Sequence, residues 1–409
     1  MSTSPVRSVA VFSNLFPPQV TGSSVQASTL AKKLVEQGVD VTVFTSHLDK
    51  DTPKREVVDG VEIHRLHCLH LPKLPIAVNF PWLSFTMLPG NFGYMKRVMQ
   101  ERQCQLIHVH NHMFDMAFNG VILSKMLKLP LVVTIHSIIH HPNKLYDTIL
   151  SVADATLLRW AVIGQSSQII DLDSICAEYR ESRFGAKNGT LIPLGTEFPE
   201  EPLTEDVETL RQKYQLEGKK VILSVGHLHH LRNRMALIRG FAQSIESYPD
   251  ARLVIVGAKN FQPAQDLVQE LHLQDKVIFT GKQPRSVVAA FMALCDAHSM
   301  WFEMEGGKPS SLGNANIEAM LMGKPVFGVF DENAYGPGVL KHGENIFILP
   351  GTDIDAHVKS IILQLWADNE QAALIGERAR NKARDNFAWN IVVKRHLDLF
   401  ESLVDSGIK

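Results

Sequence analysis

The chain has 409 residues, 45% hydrophobic and 21% charged, more than one α/β domain usually needs, so two domains are the first expectation. Its 41 basic and 43 acidic residues leave a formal net charge of -2, which supplies no global field for nucleic acid or an anionic membrane and confines any polyanion site to a local patch. Cys68, Cys104, Cys176 and Cys295 form no CxxC pair, the opening MSTSPVRSVAVF lacks a signal peptide's apolar core, and no run approaches the ~20 apolar residues of a spanning helix, so a reducing cytoplasm is the expected compartment.

From the amino terminus, short β-branched runs alternate with amphipathic stretches. The predicted strands of the first half are SVAVF (8–12), VDVTVFT (39–45), EIHRL (62–66), LIHVH (106–110) and PLVVTIH (130–136), the pattern of a parallel sheet wound with helices. A helix is predicted over 22–37, with Val25, Leu30, Leu34 and Val35 on one face and Gly38 as its stop. The loop before it, NLFPPQVTGSSVQ (14–26), has no GxGxxG fingerprint, which disfavours a nicotinamide or flavin enzyme. Gly22-Ser23-Ser24 still places small residues at a helix start, where free N–H groups and the dipole attract phosphate or carboxylate; a serine N-cap explains them as well. The stretch 71–94, with Phe80, Trp82, Phe85 and Phe92, reads as an acceptor-side loop and helix, with contact to a membrane or lipid acceptor as the alternative. His108, His110 and His112 alternate at a strand end and can share a face around a metal, but only Asp115 follows them, so no metal site is assigned.

After Phe198-Pro199-Glu200-Glu201-Pro202, which reads as a linker edge, a second series begins: KVILSVG (220–226), RLVIVG (252–257), VIFTG (277–281), SMWF (299–302), PVFGVF (325–330) and IFIL (346–349). The first three end in glycine, where open parallel sheets admit ligands at their carboxyl edge, although an ordinary tight turn explains any single one equally well. The run VGHLHHLRNRMALIRGF (225–241) puts His227 and Arg232 just beyond a strand, suited to a diphosphate leaving group, with Arg234 and Arg239 expected to face water. Farther on, MWFEMEGGKPSSLGNANIEAMLMGKPV (300–326) runs from strand through a glycine-rich loop and a short helix to another strand. Gly313-Asn314 would leave amides free at that helix's start. Glu318, about one turn inside, can accept bonds from two vicinal ribose hydroxyls while those amides hold phosphate; a first-turn partner of the helix dipole is its plainer role. No internal repeat or low-complexity segment is present.

From about residue 9 to residue 400 these segments resemble, in the same order, the family 4 retaining glycosyltransferases. Phe16-Pro17-Pro18 and Gly22 match the family's proline-containing loop and the glycine before its first helix. VGHLHHLRN matches its VGR…KG segment, whose arginine and lysine hold the donor diphosphate; here His227 stands for the arginine, making that charge pH-dependent, and Arg232 for the lysine. IEAMLMGKPV matches LEAM-G-PV, and Phe387-Ala388-Trp389 matches the late FSW motif. His136, at the end of PLVVTIHS, matches a position beside the reacting sugar, with a hydrogen-bonded loop histidine as the alternative. The family has two glutamates at a fixed spacing, the first contacting the transferred sugar and the second the ribose. Glu318 fits the second. The place of the first falls on Ser310, unless a short insertion near 308–312 makes Glu305 the counterpart, which is the preferred assignment.

The resemblance implies an α/β protein of GT-B fold, two Rossmann-like domains facing a cleft. These are an acceptor-binding domain over 1–196 and a nucleotide-sugar-binding domain over 197–384, with a C-terminal helix over 385–409 returning to the first. It implies retaining transfer from a UDP- or GDP-linked nucleotide-sugar, a co-substrate with no further cofactor and no metal, to a hydroxyl of a glycan, lipid-linked or small-molecule acceptor. The expected catalytic residues are His136, Glu305 and Arg232, and the donor-binding residues Gly22, His227, Arg232, Gly313, Asn314, Glu318 and Ser310. No nucleic-acid partner is expected, and the location is cytoplasmic, with or without peripheral membrane contact. The departures at Ser310 and His227 keep a catalytically silent nucleotide-sugar-binding subunit as the competing reading, and a GT-B sugar-nucleotide epimerase ranks last.

Overall fold

The structure is a computed structural model that describes residues 6–71, 83–139, 141, 143–197, 202–226, 233–258, 261–303 and 308–407. It divides into two compact units, one formed by Met1–Gly195 with Trp389–Lys409 and the other by Thr196–Ala388.

The first unit contains strands β1 (Ser8–Ser13), β2 (Asp40–Ser46), β3 (Arg55–Val58), β4 (Val61–Leu66), β5 (Leu69–Leu71), β6 (Leu83–Phe85), β7 (Leu106–His110), β8 (Leu131–Ile135), β9 (Gln168–Asp171) and β10 (Gly189–Leu191). Its helices are α1 (Gly22–Glu36), α2 (Pro89–Glu101), α3 (Asp115–Leu127), α4 (Lys144–Ala153), α5 (Arg159–Ala161), α6 (Ser174–Tyr179) and the last helix of the chain, α14 (Trp389–Asp405). Eight strands form one sheet in the order β10-β9-β8-β7-β1-β2-β4-β3, parallel except where β3 pairs with β4, while β5 and β6 form a separate antiparallel pair. The sheet is buried on both faces. Along β1, Val9 and Val11 meet α1 and α14, whereas Ala10 and Phe12 meet α2 and α3. Double burial is why the parallel strands read as continuous apolar runs.

Two expectations are corrected in this unit, and five of its strands lie beyond those expected. Val25 is exposed: at 100° per residue it lies far around α1 from Leu30, and the inner face is Ala27, Leu30, Ala31 and Leu34. The cap of α1 is Thr21, which accepts the Ser24 N–H while the Ser24 hydroxyl accepts the Thr21 N–H, a reciprocal capping box. Strands β3, β5, β6, β9 and β10 were not read from the sequence; β9 and β3 have four residues each, and β3 is mostly exposed, so neither gives a clear periodic signal.

The second unit contains β11 (Val221–Val225), β12 (Arg252–Val256), β13 (Val277–Gly281), β14 (Ala297–Ser299), β15 (Val326–Gly328) and β16 (Phe347–Ile348). Between and after them come α7 (Thr204–Lys213), α8 (Arg234–Ser244), α9 (Gln262–Glu270), α10 (Arg285–Leu294), α11 (Asn314–Leu321), α12 (Ile354–Ala367) and α13 (Asn369–Phe387). All six strands are parallel, in the order β13-β12-β11-β14-β15-β16. The order reverses between β11 and β14, the switch point outside which open α/β sheets take ligands. The predicted strand 299–302 is displaced: β14 ends at Ser299, because the Trp301 N–H is taken by the Asn233 side chain and the Met300 carbonyl by the Asn316 amide instead of by a neighbouring strand.

Candidate functional site

The helix that carries Glu318 is set against the sheet by a buried polar latch. His298 on β14 is fully buried, and desolvation lowers its pKa to about 3, so it is neutral. Asn316 donates from Nδ2 to the Met300 carbonyl at 2.6 Å, leaving its Oδ1 to accept the His298 Nδ1 proton at 2.9 Å. The other ring nitrogen, Nε2, then accepts the Val225 N–H at 3.2 Å. This bond accounting assigns the tautomer and joins α11 to β14 and β11. Gly313, the N-cap of α11, makes no side-chain capping bond, and a Cβ there would lie 2.4 Å from Met300 Cε. A larger residue there would have to displace the flexible end of the Met300 side chain. Asn314 follows as the exposed first residue.

Glu318 is the fifth residue of α11, which has no acid in its first turn, so the carboxylate lies beyond the reach assumed for a simple dipole partner. Its side chain is largely buried, and Oε1 stands 3.3 Å from Arg285 Nη2. Burial pushes the Glu318 carboxyl above its usual range, and Arg285 pulls it back. Arg285 opens α10 and also stands 3.7 Å from a Glu197 carboxylate oxygen. The sequence reading did not single it out; the available signal was a cation at a helix start just after a strand ending in Gly281.

Ser310 is buried at a short parallel bridge to Phe330. Its hydroxyl donates to the Val329 carbonyl at 3.3 Å and accepts the Phe302 N–H at 3.4 Å. His227, Arg232 and Glu305 lie outside the described residues, as do Phe80 and Trp82. Arg234, expected to face water, is instead fully buried, its guanidinium reaching the Ser224 hydroxyl and, at 3.1 Å, the Gly226 carbonyl. Arg239 is partly exposed and pairs with Asp355 at 2.5 Å. A cavity of about 570 Å³ in this unit, walled by Arg239, Gln243, Phe302, Glu303, Lys308 and Asp355 among others, includes none of the described site candidates.

In the first unit, Gly22 begins α1 with open space where a Cβ would stand. His136 follows β8, and its Nε2 lies 2.8 Å from His110 Nδ1 on β7. The His110 ring is tilted against that of His108, 4.3 Å between ring centres, and His108 Nε2 meets the Thr134 hydroxyl at 2.8 Å. From α14, His396 completes the row, 5.8 Å from His108 between ring centres, with its Nδ1–H donated to the Val392 carbonyl. A cavity of about 20 Å³, the size of one water, is lined by His110, His136, His396, Thr134 and Gln26 among others. Burial lowers the pKa of His136 and His396 to about 4 and those of His108 and His110 well below the usual range, with neighbouring rings as a smaller cause at His108, His110 and His136. His112 is separate, 3.4 Å from the buried carboxylate of Asp154. Among the described residues no group of three or more His, Cys, Asp or Glu is arranged to hold a metal ion. All four cysteines are unbridged and buried, and no helix among the described residues is long and apolar enough to cross a membrane.

Two family models match successive parts of the chain: Glycosyltransferase Family 4 over residues 20–197 and Glycosyl transferases group 1 over residues 206–382. N-acetyl-alpha-D-glucosaminyl L-malate synthase of Bacillus anthracis is 24% identical over 393 residues, covering 94% of each chain. Alpha-monoglucosyldiacylglycerol synthase of Streptococcus pneumoniae is 23% identical over 332 residues, 78% of this chain and 70% of that one. Among solved structures, sucrose-phosphate synthase from Thermosynechococcus elongatus aligns with a TM-score of 0.71 at 20% identity, over 98% of this chain and 100% of that one. Anabaena HepE in complex with UDP and glucose aligns with a TM-score of 0.68 at 18% identity, over 97% and 100%.

Proposed function

The chain belongs to the family 4 glycosyltransferases and has their GT-B fold, and on that premise we propose that it moves a sugar from a UDP- or GDP-linked nucleotide-sugar to an acceptor hydroxyl with retention of anomeric configuration. The observation that carries the donor assignment is the Glu318 carboxylate, fixed one turn inside a helix whose N-terminus no side chain caps. Such a pairing suits a nucleoside diphosphate: the carboxylate accepts the ribose hydroxyls and the helix amides face phosphate. The HepE complex holds UDP and glucose, and a Mycolicibacterium smegmatis relative is named as GDP-mannose-dependent, so both linkages stay in the proposal. The relatives' names include a glucosaminyl malate and a glucosyl diacylglycerol, in keeping with an acceptor from the small-molecule or lipid-linked classes.

In this reading unit 2 takes the donor and unit 1 the acceptor. Arg232 and His227, with the α11 amides, hold the diphosphate as its charge grows, and the acceptor oxygen bonds the anomeric carbon on the face that the diphosphate leaves. Glu305 contacts the transferred sugar, because the Ser310 hydroxyl is already spent on two backbone groups, and His136 stands beside the reacting sugar. The chemistry needs charge stabilisation and orientation from these groups, with no metal or further cofactor.

A nucleotide-sugar panel read by thermal shift, followed by transfer and donor-hydrolysis assays, tests the proposal. Glu318→Gln should weaken donor binding by about 1.5 to 3 kcal/mol, the worth of a charge-assisted bond; an unchanged dissociation constant in the folded variant removes Glu318 from the site. The competing reading, a silent binding subunit, is favoured by Ser310. It prevails if every bound nucleotide-sugar is neither hydrolysed nor transferred.

A further inference from the structure

An apolar stripe on the first unit has no cover among the described residues. The helical run 144–161 comprises α4, a π-helical turn over Asp154–Leu158, and α5. None of the α4 residues is buried. Leu145, Ile149, Val152, Leu157 and Trp160 are exposed by 67%, 48%, 57%, 57% and 69%. Isolated exposed apolar residues are ordinary, but these five are aligned. Leu145, Ile149 and Val152 follow the +4 and +3 steps of one α-helical face. The π turn, with its i→i+5 bonding, takes up one additional residue, so the +5 step from Val152 to Leu157 stays on that face and Trp160 follows at +3.

The turn is held from inside. Asp154 is fully buried, accepts the Tyr179 hydroxyl, and stands 3.4 Å from His112 and 3.6 Å from Arg183, while Leu158 is buried in the core. Those anchors fix the phase of the stripe. The other exposed residues of the run include Lys144 and Arg159, and no acid is exposed along it, since Asp154 is buried and Asp147 is only partly exposed, accepting the His141 N–H. The Arg159 guanidinium lies over the Trp160 ring, 5.5 Å from its centroid, pairing a cation with an amphipathic ring.

We propose that this face docks on an anionic lipid bilayer, with Leu145, Ile149, Val152, Leu157 and Trp160 entering the interfacial zone and Lys144 and Arg159 meeting the headgroups. The proposal does not rest on the donor assignment, and it concerns residues other than the 71–94 stretch considered from the sequence. An apolar stripe flanked by cations is what an interfacial helix needs: buried hydrocarbon supplies affinity and basic side chains select anionic headgroups. A second copy of the chain fits less well. A two-fold contact through this face would bring its cations together with no exposed acid of the same run to offset them.

The test is flotation of the full chain with vesicles of phosphatidylcholine alone or with about 30% phosphatidylglycerol, at low and high salt. The wild type should float with the anionic vesicles, less so at high salt. Leu157→Ser/Trp160→Ser should lower the partition coefficient at least tenfold, roughly the loss of two large interfacial side chains. Both positions are exposed, so the variant should keep the wild-type circular dichroism. Lys144→Glu/Arg159→Glu should erase the preference for anionic vesicles. No flotation by the wild type, or undiminished flotation of the serine variant, overturns the proposal. So does concentration-dependent self-association of the wild type, without vesicle binding, that the serine variant loses; in that case the face belongs to a second copy.

Discussion

The row of buried histidines gives the first unit a calculable sensitivity to acid, and His396 isolates it. This side chain is enclosed between α14 and the sheet, its closest aromatic neighbours being His108 and Phe400, and the titratable groups around it are His108, His110 and His136. Burial lowers its pKa from 6.5 to about 4. In the unfolded chain His396 takes a proton as the pH falls through its ordinary value; in the folded protein it resists until about 4. The folded state is therefore not penalised above 6.5 and loses stability progressively below it. At about 1.4 kcal/mol per pH unit over about 2.5 units, His396 alone accounts for a full loss of about 3.5 kcal/mol, of which about 3 is reached by pH 4. His396→Phe removes the titrating group and keeps a ring beside Phe400, while the other three histidines remain and lose only the smaller part of their lowering that His396 causes. Urea-dependent hydrogen exchange of α14 peptides reads the first unit separately from the second. Between about pH 7 and pH 4 the wild type should lose about 3 kcal/mol more than the variant. Parallel losses would refute the reasoning, because they would mean that His396 is protonated as readily in the folded chain as in the unfolded one.

Arg285→Ala removes the cation beside Glu318, so the Glu318 carboxyl should rise further above its usual range. Donor affinity, measured by calorimetry across acidic pH, should then begin to fall at a higher pH than in the wild type; coincident profiles would separate Arg285 from the site. Asn316→Leu strands the His298 Nδ1 proton and the Met300 carbonyl inside the second unit, a loss of about 1 to 3 kcal/mol for each buried group left unpaired, measurable as a lowered urea midpoint. Glu305→Gln should slow transfer at least tenfold, about 1.4 kcal/mol in barrier, with free-nucleotide affinity unchanged. Ser310→Ala should act mainly on stability through the Val329 and Phe302 contacts. If Ser310→Ala abolishes transfer while Glu305→Gln is neutral, Ser310 takes the sugar-side role.

Much of the architecture was legible in local pattern. LIHVH and VIFTG form β7 and β13 over the predicted residues, and the two series of strands separate into two parallel sheets. The strand-end glycines carry their own reason, since Gly226, Gly257 and Gly281 have φ of 143°, 153° and 75°, a region that side-chain-bearing residues avoid. The place of Glu318 inside a helix that follows a glycine was likewise readable, because a cap and its helix are neighbours in sequence. Only the tertiary structure decided the rest. Arg234 looked like one more solvated cation until the fold brought Ser224 and Gly226 to its guanidinium. His108, His110 and His112 looked like one alternating strand-end set until the fold drew His112 to Asp154 and brought His136, just after β8, and His396 of the last helix to the other two. Arg285 meets Glu318 across 33 positions, and the exposed stripe on 144–161 keeps its phase through a π turn anchored by Tyr179. The physical reason is the same in each case: periodicity along one segment specifies which of its faces is apolar, but the identity of the group opposite that face depends on strand order and helix packing, which bring together residues distant in the chain.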